Sequence, residues 1–128
     1  GDGPGRVPGC AIEGGNMDCI FCRIIAGEIP SEFMHRDERA VAIRDVNPKA
    51  PVHFLIIPNK HIPTAADLAP EDEALAGHLL LIAKELAQKE GLSEKGYRLV
   101  INCKAEAGQV VPHLHLHLLG GRWLGSMG

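Results

Sequence analysis

The sequence lacks long apolar runs, an excess of basic charge and aromatic residues, and each of these absences excludes a class of protein. No apolar stretch approaches the roughly 18 residues that span a bilayer, which excludes a membrane-spanning protein. Thirteen basic and 16 acidic residues give a net charge of -3, so no general positive field attracts nucleic acid. One Trp, one Tyr and three Phe are too few to stack a single strand. We predict neither a membrane nor a nucleic-acid partner, whereas a nucleotide-sized anion is compatible with this composition.

A secretory signal is also lacking, because the chain starts with glycines and prolines instead of basic and then apolar residues. Residues 1–16 hold six glycines and two prolines, so we expect a disordered leader followed by one folded domain over residues 17–128. We predict a cytoplasmic protein. Disulfide frameworks belong to small secreted chains with insufficient cores, so we expect reduced thiols. The cysteines are Cys10, Cys19, Cys22 and Cys103.

Apolar patterns predict an α+β domain with five strands, one short helix and one long helix. Asp18 would cap the short helix, which Gly27 and Pro30 end. Pro70 and Gly91 would bound the long helix, which is expected to cover one face of the sheet. The strands are predicted over residues 33–36, 40–45, 52–57, 97–103 and 113–119.

The last predicted strand alternates histidine with leucine. Because side chains alternate across a strand, His113, His115 and His117 would share one face and the leucines the other. The outer two histidines would be about 13 Å apart, so one small ion would not readily collect all three. A lone histidine is usually a solvated or satisfied residue, but strict alternation on an apolar strand favours a functional row. Imidazole is both a nucleophile and an acid or base near neutral pH, which suits attack on phosphorus.

A glycine-containing loop precedes this strand. Gly108 offers backbone N–H groups to a phosphate, and the amides of Asn102 and Gln109 can donate to its oxygens. Alone this signal is weak, since a hairpin loop needs a glycine anyway. Beside the imidazole row it indicates phosphoryl or nucleotidyl chemistry. We find no Walker-type loop and no clustered carboxylates, so neither Mg²⁺ nor an organic cofactor is expected.

The pattern His-apolar-His-apolar-His-apolar-apolar resembles the histidine triad (HIT) superfamily, and five further segments resemble its Hint branch. The likeness covers residues 18–125, and its segments agree in order and spacing. They are residues 24–30, 44–51, 52–58, 96–98 and 119–122. The resemblance implies a five-stranded antiparallel sheet that continues across a homodimer, with the long helix and the strand over residues 97–103 at the contact.

The resemblance further implies a nucleotide hydrolase or transferase. It would act at the α-phosphorus of purine nucleoside phosphoramidates or related adenylates, through a covalent nucleotidyl-histidine, and release a nucleoside monophosphate. By position, His115 would be the nucleophile, His117 would lie near the phosphate and leaving group, and His53 would orient the catalytic ring. Substrate-binding positions would be Asp45 and Val46 for ribose and base, and Asn102, Gly108 and Gln109 for phosphate. For Asp45, a purely turn-forming role is the alternative.

Val110 departs from the family pattern, because many Hint relatives have a serine there. Valine cannot donate a hydrogen bond from its side chain, so leaving-group activation is expected to be weaker or differently assigned. Two alternatives therefore stay open. One is a dinucleotide polyphosphate hydrolase or nucleotidyl transferase of a sister branch. The other is a zinc-stabilised nucleotide-binding module without turnover.

The pair Cys19-x-x-Cys22 suggests a structural zinc site, because two cysteines and two histidines form a closed tetrahedral set. His61 and His113 are the candidates for the other ligands, and some bacterial HIT proteins look similar in these segments. Such a zinc would brace the fold and not activate water. The alternatives are packed free thiols and redox activity.

Three other residues give only weak indications of a role. His35 and His78 have no obvious companions in the sequence, and His78 is expected to pack at the edge of the long helix. Trp123 would anchor a C-terminal tail over the partner's site, with a frayed end as the alternative.

Overall fold

The computed structural model describes residues 19–127. The predicted leader, Met17, Asp18 and Cys10 lie outside the described residues, as does Gly128. The elements are α1 (Ile20–Ile25), β1 (Phe33–Arg36), β2 (Ala40–Arg44), β3 (Val52–Pro58), α2 (Glu73–Lys89), β4 (Tyr97–Val100) and β5 (Leu116–Gly120). Short 3-10 turns occur at Ala65–Asp67, Pro70–Asp72 and Ala105–Ala107. In this part of the chain, no helix is long and apolar enough to cross a membrane.

The five strands form one antiparallel sheet in the order β1-β2-β3-β5-β4. The predicted fold class is therefore confirmed, with one long and one short helix. In the β3–β5 ladder, Leu55 pairs with His117 and His53 pairs with Leu119. Since side chains two residues apart share a face, this register brings His53 and His117 together on one side of the sheet.

The two faces of the sheet bury different clusters, as period-two alternation requires. One face packs on α2: Phe54 and Ile56 of β3 meet Ile82 and Leu86 of the helix. Leu114, Leu116 and Leu118 belong to the same cluster and are at most 2% exposed, so the predicted leucine face is confirmed. Each such buried leucine contributes about 1.5–3 kcal/mol. The opposite face packs on α1 through the cluster that includes Leu55, Ile57 and Phe21.

The last two strands are shorter than predicted. β4 ends at Val100, and β5 begins only at Leu116. The segment before β5 is held by other partners, because the Leu114 N–H donates to the Ile62 carbonyl at 2.6 Å. His113 and His115 therefore precede the ladder.

The start of α1 also differs in its cap. The Cys19 sulfur accepts a hydrogen bond from the Cys22 N–H at 3.3 Å, so Cys19 occupies the capping position that the sequence suggested for Asp18. Gly120 packs closely on Leu92: a Cβ at position 120 would lie 2.7 Å from Cδ1 of Leu92, so that side chain would have to shift.

Candidate active site

A cavity of about 630 Å³ opens on the α1 face of the sheet. This volume is typical of small-ligand sites. Helix α1 contributes Ile20 and Phe21 to its wall, and the loops after β2 and β4 contribute polar residues. The predicted site residues that line it are Asp45, His53, Asn102, Gly108, His115 and His117.

His115 is held in one tautomer. Its Nδ1 lies 2.7 Å from the His113 carbonyl oxygen, and because a carbonyl can only accept, Nδ1 must carry the proton. Nε2 therefore has the lone pair, and among the residues described here it has no hydrogen-bond partner. The ring is 8% exposed and packs against the Phe21 ring, with centroids 5.0 Å apart. Burial lowers the pKa of His115 below its ordinary 6.5, which favours the neutral, nucleophilic form at neutral pH.

A chain of hydrogen bonds fixes the protonation of His53 and His117. The Lys49 N–H donates to Nδ1 of His53 at 3.0 Å, so the proton of the neutral His53 ring is on Nε2. That Nε2 lies 2.9 Å from Nδ1 of His117 and donates to it. The proton of neutral His117 is consequently on its own Nε2. Burial, assisted by the neighbouring imidazoles of His115 and His53, lowers the pKa of His117 to about 4.

The Asp45 carboxylate makes a turn contact and also lines the cleft. Its Oδ1 accepts from the Asn47 N–H at 2.8 Å, which is the turn-forming contact. Its Oδ2 lies 3.4 Å from Nε2 of His53 and faces the same cleft. Burial lowers the pKa of His53, and the Asp45 carboxylate opposes that shift.

Two predicted substrate contacts do not line the cavity. Val46 is 88% exposed and is not among the residues that line the cavity. Gln109 uses its side chain inside the loop: Oε1 accepts from the Lys104 N–H at 2.8 Å, and Nε2 donates to the carbonyls of Pro63 and Val111. Gln109 therefore shapes the loop in this structure instead of offering an amide to phosphate.

The backbone N–H groups of the loop that lack an acceptor also belong to other residues than the predicted Gly108. Gly108 adopts a φ of 87°, which a glycine tolerates, and its N–H donates to the Ala105 carbonyl. The Gln109 N–H donates to the Lys104 carbonyl. Within the described residues, the N–H groups of Val110 and Val111 have no acceptor, and both residues line the cavity. Neutral donors are thus available from the next two residues.

The four predicted metal ligands lie together beside the cleft. Sulfur and nitrogen atoms of Cys19, Cys22, His61 and His113 all fall within 4.8 Å of one another. Nδ1 of His113 is 3.2 Å from the Cys19 sulfur and 3.1 Å from Nδ1 of His61. Its Nε2 donates to the Pro58 carbonyl at 2.9 Å, so the lone pair of Nδ1 faces the sulfurs. A carbonyl that holds the far nitrogen is the usual orientation for a metal-binding imidazole, so the residues fit a zinc ion.

Cys19 and Cys103 are free thiols. The proximity of two sulfurs in space cannot be deduced from their positions in a sequence. A metal at this cluster needs the Cys22 thiolate and therefore a reduced chain.

Comparison with known proteins decides the family. The HIT domain family matches residues 26–124. The chain belongs to the HIT family. This HIT protein is 47% identical over 110 residues to the purine nucleoside phosphoramidase of Escherichia coli K12, covering 86% of this chain and 92% of that relative. It is a hydrolase of the HIT type.

Solved HIT structures agree with the same conclusion. A HIT family hydrolase from Legionella pneumophila superposes with a TM-score of 0.83 at 52% identity, covering 84% of this chain and 96% of the other. A zinc-bound histidine triad family protein from Mycobacterium smegmatis superposes with a TM-score of 0.72 at 33% identity, covering 84% of this chain and 78% of the other.

The HIT domain contains functional candidates that the sequence did not reveal. The ring of Phe21 contacts both His115 and His113 edge-on. His35 and His78, which seemed to lack companions, both contact Asp37. Of this group, the sequence shows only that His35 and Asp37 are two residues apart. The tail is held by the bond from Arg98 to the Gly125 carbonyl, whereas Trp123 is 86% exposed.

Proposed function

We propose that this HIT protein hydrolyses purine nucleoside phosphoramidates, or related adenylates, in two steps at the α-phosphorus. Nε2 of His115 attacks phosphorus, the bond from phosphorus to the leaving nitrogen breaks, and the amine departs with a proton. Water then attacks the nucleotidyl-histidine, which releases the nucleoside monophosphate and restores the imidazole. The observation that carries this proposal is the bond from Nδ1 of His115 to the His113 carbonyl, because it leaves the Nε2 lone pair available in the cleft.

His117 is proposed as the proton donor to the leaving group. Its Nε2–H is set by the bond from His53, whose own tautomer is set by the Lys49 N–H. A backbone amide always donates, so it keeps the chain of bonds in one direction. Before substrate binds, burial keeps the pKa of His117 low and the ring neutral. The bound phosphate anion favours a second proton on this ring, and the imidazolium passes its Nε2 proton to the departing amine and returns to the neutral form.

The remaining lining residues support binding of the nucleotide. The spare N–H groups of Val110 and Val111 are suited to the phosphate oxygens as charge develops on phosphorus. Asn102 adds an amide donor at the same wall, and Asp45 supplies a carboxylate for ribose hydroxyls. The purine preference is inferred from the activity named for the Escherichia coli relative. Val46 and Gln109 would act on substrate only through the loops that they belong to.

The direct experiment is turnover of an adenosine phosphoramidate by the purified chain. We expect release of AMP and amine by the parent protein and near-complete loss in His115→Ala. A matched variant, Lys104→Ala, changes an exposed loop residue outside the cavity lining and should keep full activity. AMP release that persists in His115→Ala contradicts the proposal. AMP binding without turnover by the parent would indicate the binding module, and faster cleavage of a dinucleotide polyphosphate would indicate the sister activity.

We further propose a homodimer that joins two sheets at β4. This strand is at the sheet edge, and its N–H and C=O groups on that side face no other strand in the described chain. Apolar side chains are exposed beside it, with Leu99 at 37% and Ile101 at 44%. Leu80 and Leu81 of α2 are 50% and 57% exposed. An edge flanked by exposed leucines is typical of a surface that another subunit covers.

A structural zinc at Cys19, Cys22, His61 and His113 is proposed for the reduced chain, as expected in a cytoplasmic protein. Zinc would brace α1 against the segment before β5, with both thiols as thiolates. Burial raises the pKa of the Cys19 thiol, and a bound zinc ion would reverse that tendency. Metal analysis of chain prepared with reductant tests this: we expect the parent to hold one zinc more per chain than Cys19→Ser does. Equal zinc contents in the parent and in Cys19→Ser would contradict the assignment.

A further inference from the structure

A second group of side chains with metal-binding chemistry lies outside the cleft, where the β1–β2 hairpin meets α2. Nε2 of His35 and Nε2 of His78 each lie 2.7 Å from Oδ2 of Asp37. The three ligand atoms fall within 4.8 Å of one another. The side chains of His35, His78 and Asp37 are 29%, 20% and 28% exposed, so solvent reaches them. The proposed hydrolysis uses none of these three residues.

A β-bulge in β1 creates this arrangement. Phe33 pairs with Ile43, but His35 pairs with Ala42 instead of Val41, so the register shifts between Phe33 and His35. Ala42 belongs to the cluster on α2, and the shift therefore places His35 on the α2 face of the sheet. Bulges often re-aim a side chain in this way next to functional sites. Without the bulge, His35 would face α1 and could not reach His78.

The carboxylate of Asp37 is already oriented for a ligand. Its Oδ1 accepts the N–H groups of Arg39 and Ala40 at 2.7 and 2.9 Å, which fixes the side chain in the turn. Oδ2 is left to face the two imidazoles.

We propose that His35, Asp37 and His78 bind a divalent transition-metal ion of the zinc class, which ties the hairpin to α2. Two imidazole nitrogens and one carboxylate oxygen are a common donor set for such ions, and they leave a coordination position for water. In a tetrahedral site with bonds of about 2.1 Å, ligand atoms are about 3.4 Å apart. The present 2.7 Å separations must widen by about 0.7 Å, which partly exposed rings can accommodate.

The guanidinium of Arg39 would disfavour binding of a metal ion at His78. Its guanidinium nitrogen lies 3.2 Å from Nδ1 of His78 and can only donate, so Nε2 of His78 carries the proton in this state. When a metal binds Nε2, that proton moves to Nδ1 and the contact with Arg39 is lost. Arg39 is exposed and can turn into solvent. Removal of Arg39 should therefore strengthen metal binding, an effect that a purely hydrogen-bonded group would not show.

The test is a Co²⁺ titration of the full chain, followed by absorption and by equilibrium dialysis. A site of nitrogen and oxygen ligands gives ligand-field bands without the thiolate-to-cobalt charge-transfer band, so it is distinguished from the cysteine cluster. We expect His35→Gln and His78→Gln each to weaken this signal by about tenfold or more, since even indirect ligand partners contribute that much. We expect Arg39→Gln to bind Co²⁺ about threefold more tightly than the parent does, because this variant loses an exposed positive charge near the ion.

Lys84→Gln is the matched control, because Lys84 is an exposed residue of α2 away from the cluster. It should bind Co²⁺ as the parent does. Zn²⁺ should also raise the Tm of the parent, and it should raise the Tm of His78→Gln by less. Circular dichroism of each variant verifies the fold. The proposal would be overturned if the parent, His35→Gln and His78→Gln bound equal amounts of Co²⁺ with the spectrum of nitrogen and oxygen ligands. The three side chains would then only link the hairpin to α2 through hydrogen bonds.

Discussion

Removal of the His53 imidazole should slow the step in which the leaving group takes its proton. In His53→Ala, Nδ1 of His117 loses the donor at 2.9 Å, and the Lys49 N–H loses its acceptor at 3.0 Å. His117 can then carry its proton on either nitrogen, and only one tautomer serves the leaving group. A buried group left without its partner costs about 1–3 kcal/mol. If this loss falls on the transition state, kcat drops by about tenfold to a hundredfold.

The assay compares two leaving groups. With an adenosine phosphoramidate of a simple amine, which must leave protonated, His53→Ala should lose kcat with little change in KM. With an adenylate that releases p-nitrophenolate, which needs no proton, the same variant should keep most of its activity.

His53→Gln is the conservative comparison, because an amide can both accept from Lys49 and donate to His117. We expect it to retain more amine-substrate activity than His53→Ala. An equal loss for both leaving groups, or a change in KM alone, would refute the assigned direction of the hydrogen-bond chain.

The remaining predictions concern pH, the loop and the dimer. Because burial lowers the pKa of His117 from an ordinary 6.5 to about 4, the unfolded chain binds a proton that the folded chain does not between these values. The free energy of unfolding should therefore fall as pH drops through this window, by on the order of 3 kcal/mol, and urea unfolding of His117→Gln should show a smaller loss. Val110→Ser should raise kcat for amine substrates, by up to about tenfold, since it adds a hydroxyl donor at the cleft; an unchanged rate would show that the backbone N–H groups already suffice. Leu99→Asp should shift the chain from dimer to monomer in light scattering, and an unchanged mass would contradict the β4 contact.

The sequence predicted the sheet well because its strands obey simple alternation. In β3 and β5, apolar residues recur at every second position, so the face that packs on α2 followed directly from the pattern. The start of β5 was predicted too early, since His113 and Leu114 fit the same alternation. The Leu114 N–H donates to the Ile62 carbonyl and the His113 N–H donates to the Val111 carbonyl, and a local pattern cannot show such partners.

A motif predicts the histidines of the candidate active site, whereas their supporting contacts depend on tertiary structure. His115 and His117 could be singled out from alternation alone. The bond from Lys49 to His53, which determines two tautomers, comes from a turn whose geometry the sequence does not specify. The same limit explains why the His35 group was missed, because a single bulge decides which face His35 occupies.

The central claim is that Nε2 of His115 forms a bond to phosphorus. Rapid quenching of the parent protein with an adenosine phosphoramidate, followed by intact-mass and peptide mass spectrometry, tests it directly. We expect a transient adduct of one AMP moiety on the peptide that contains His115, formed and lost at rates consistent with kcat. Turnover at full rate with no such adduct, or an adduct located on another residue, would contradict the account.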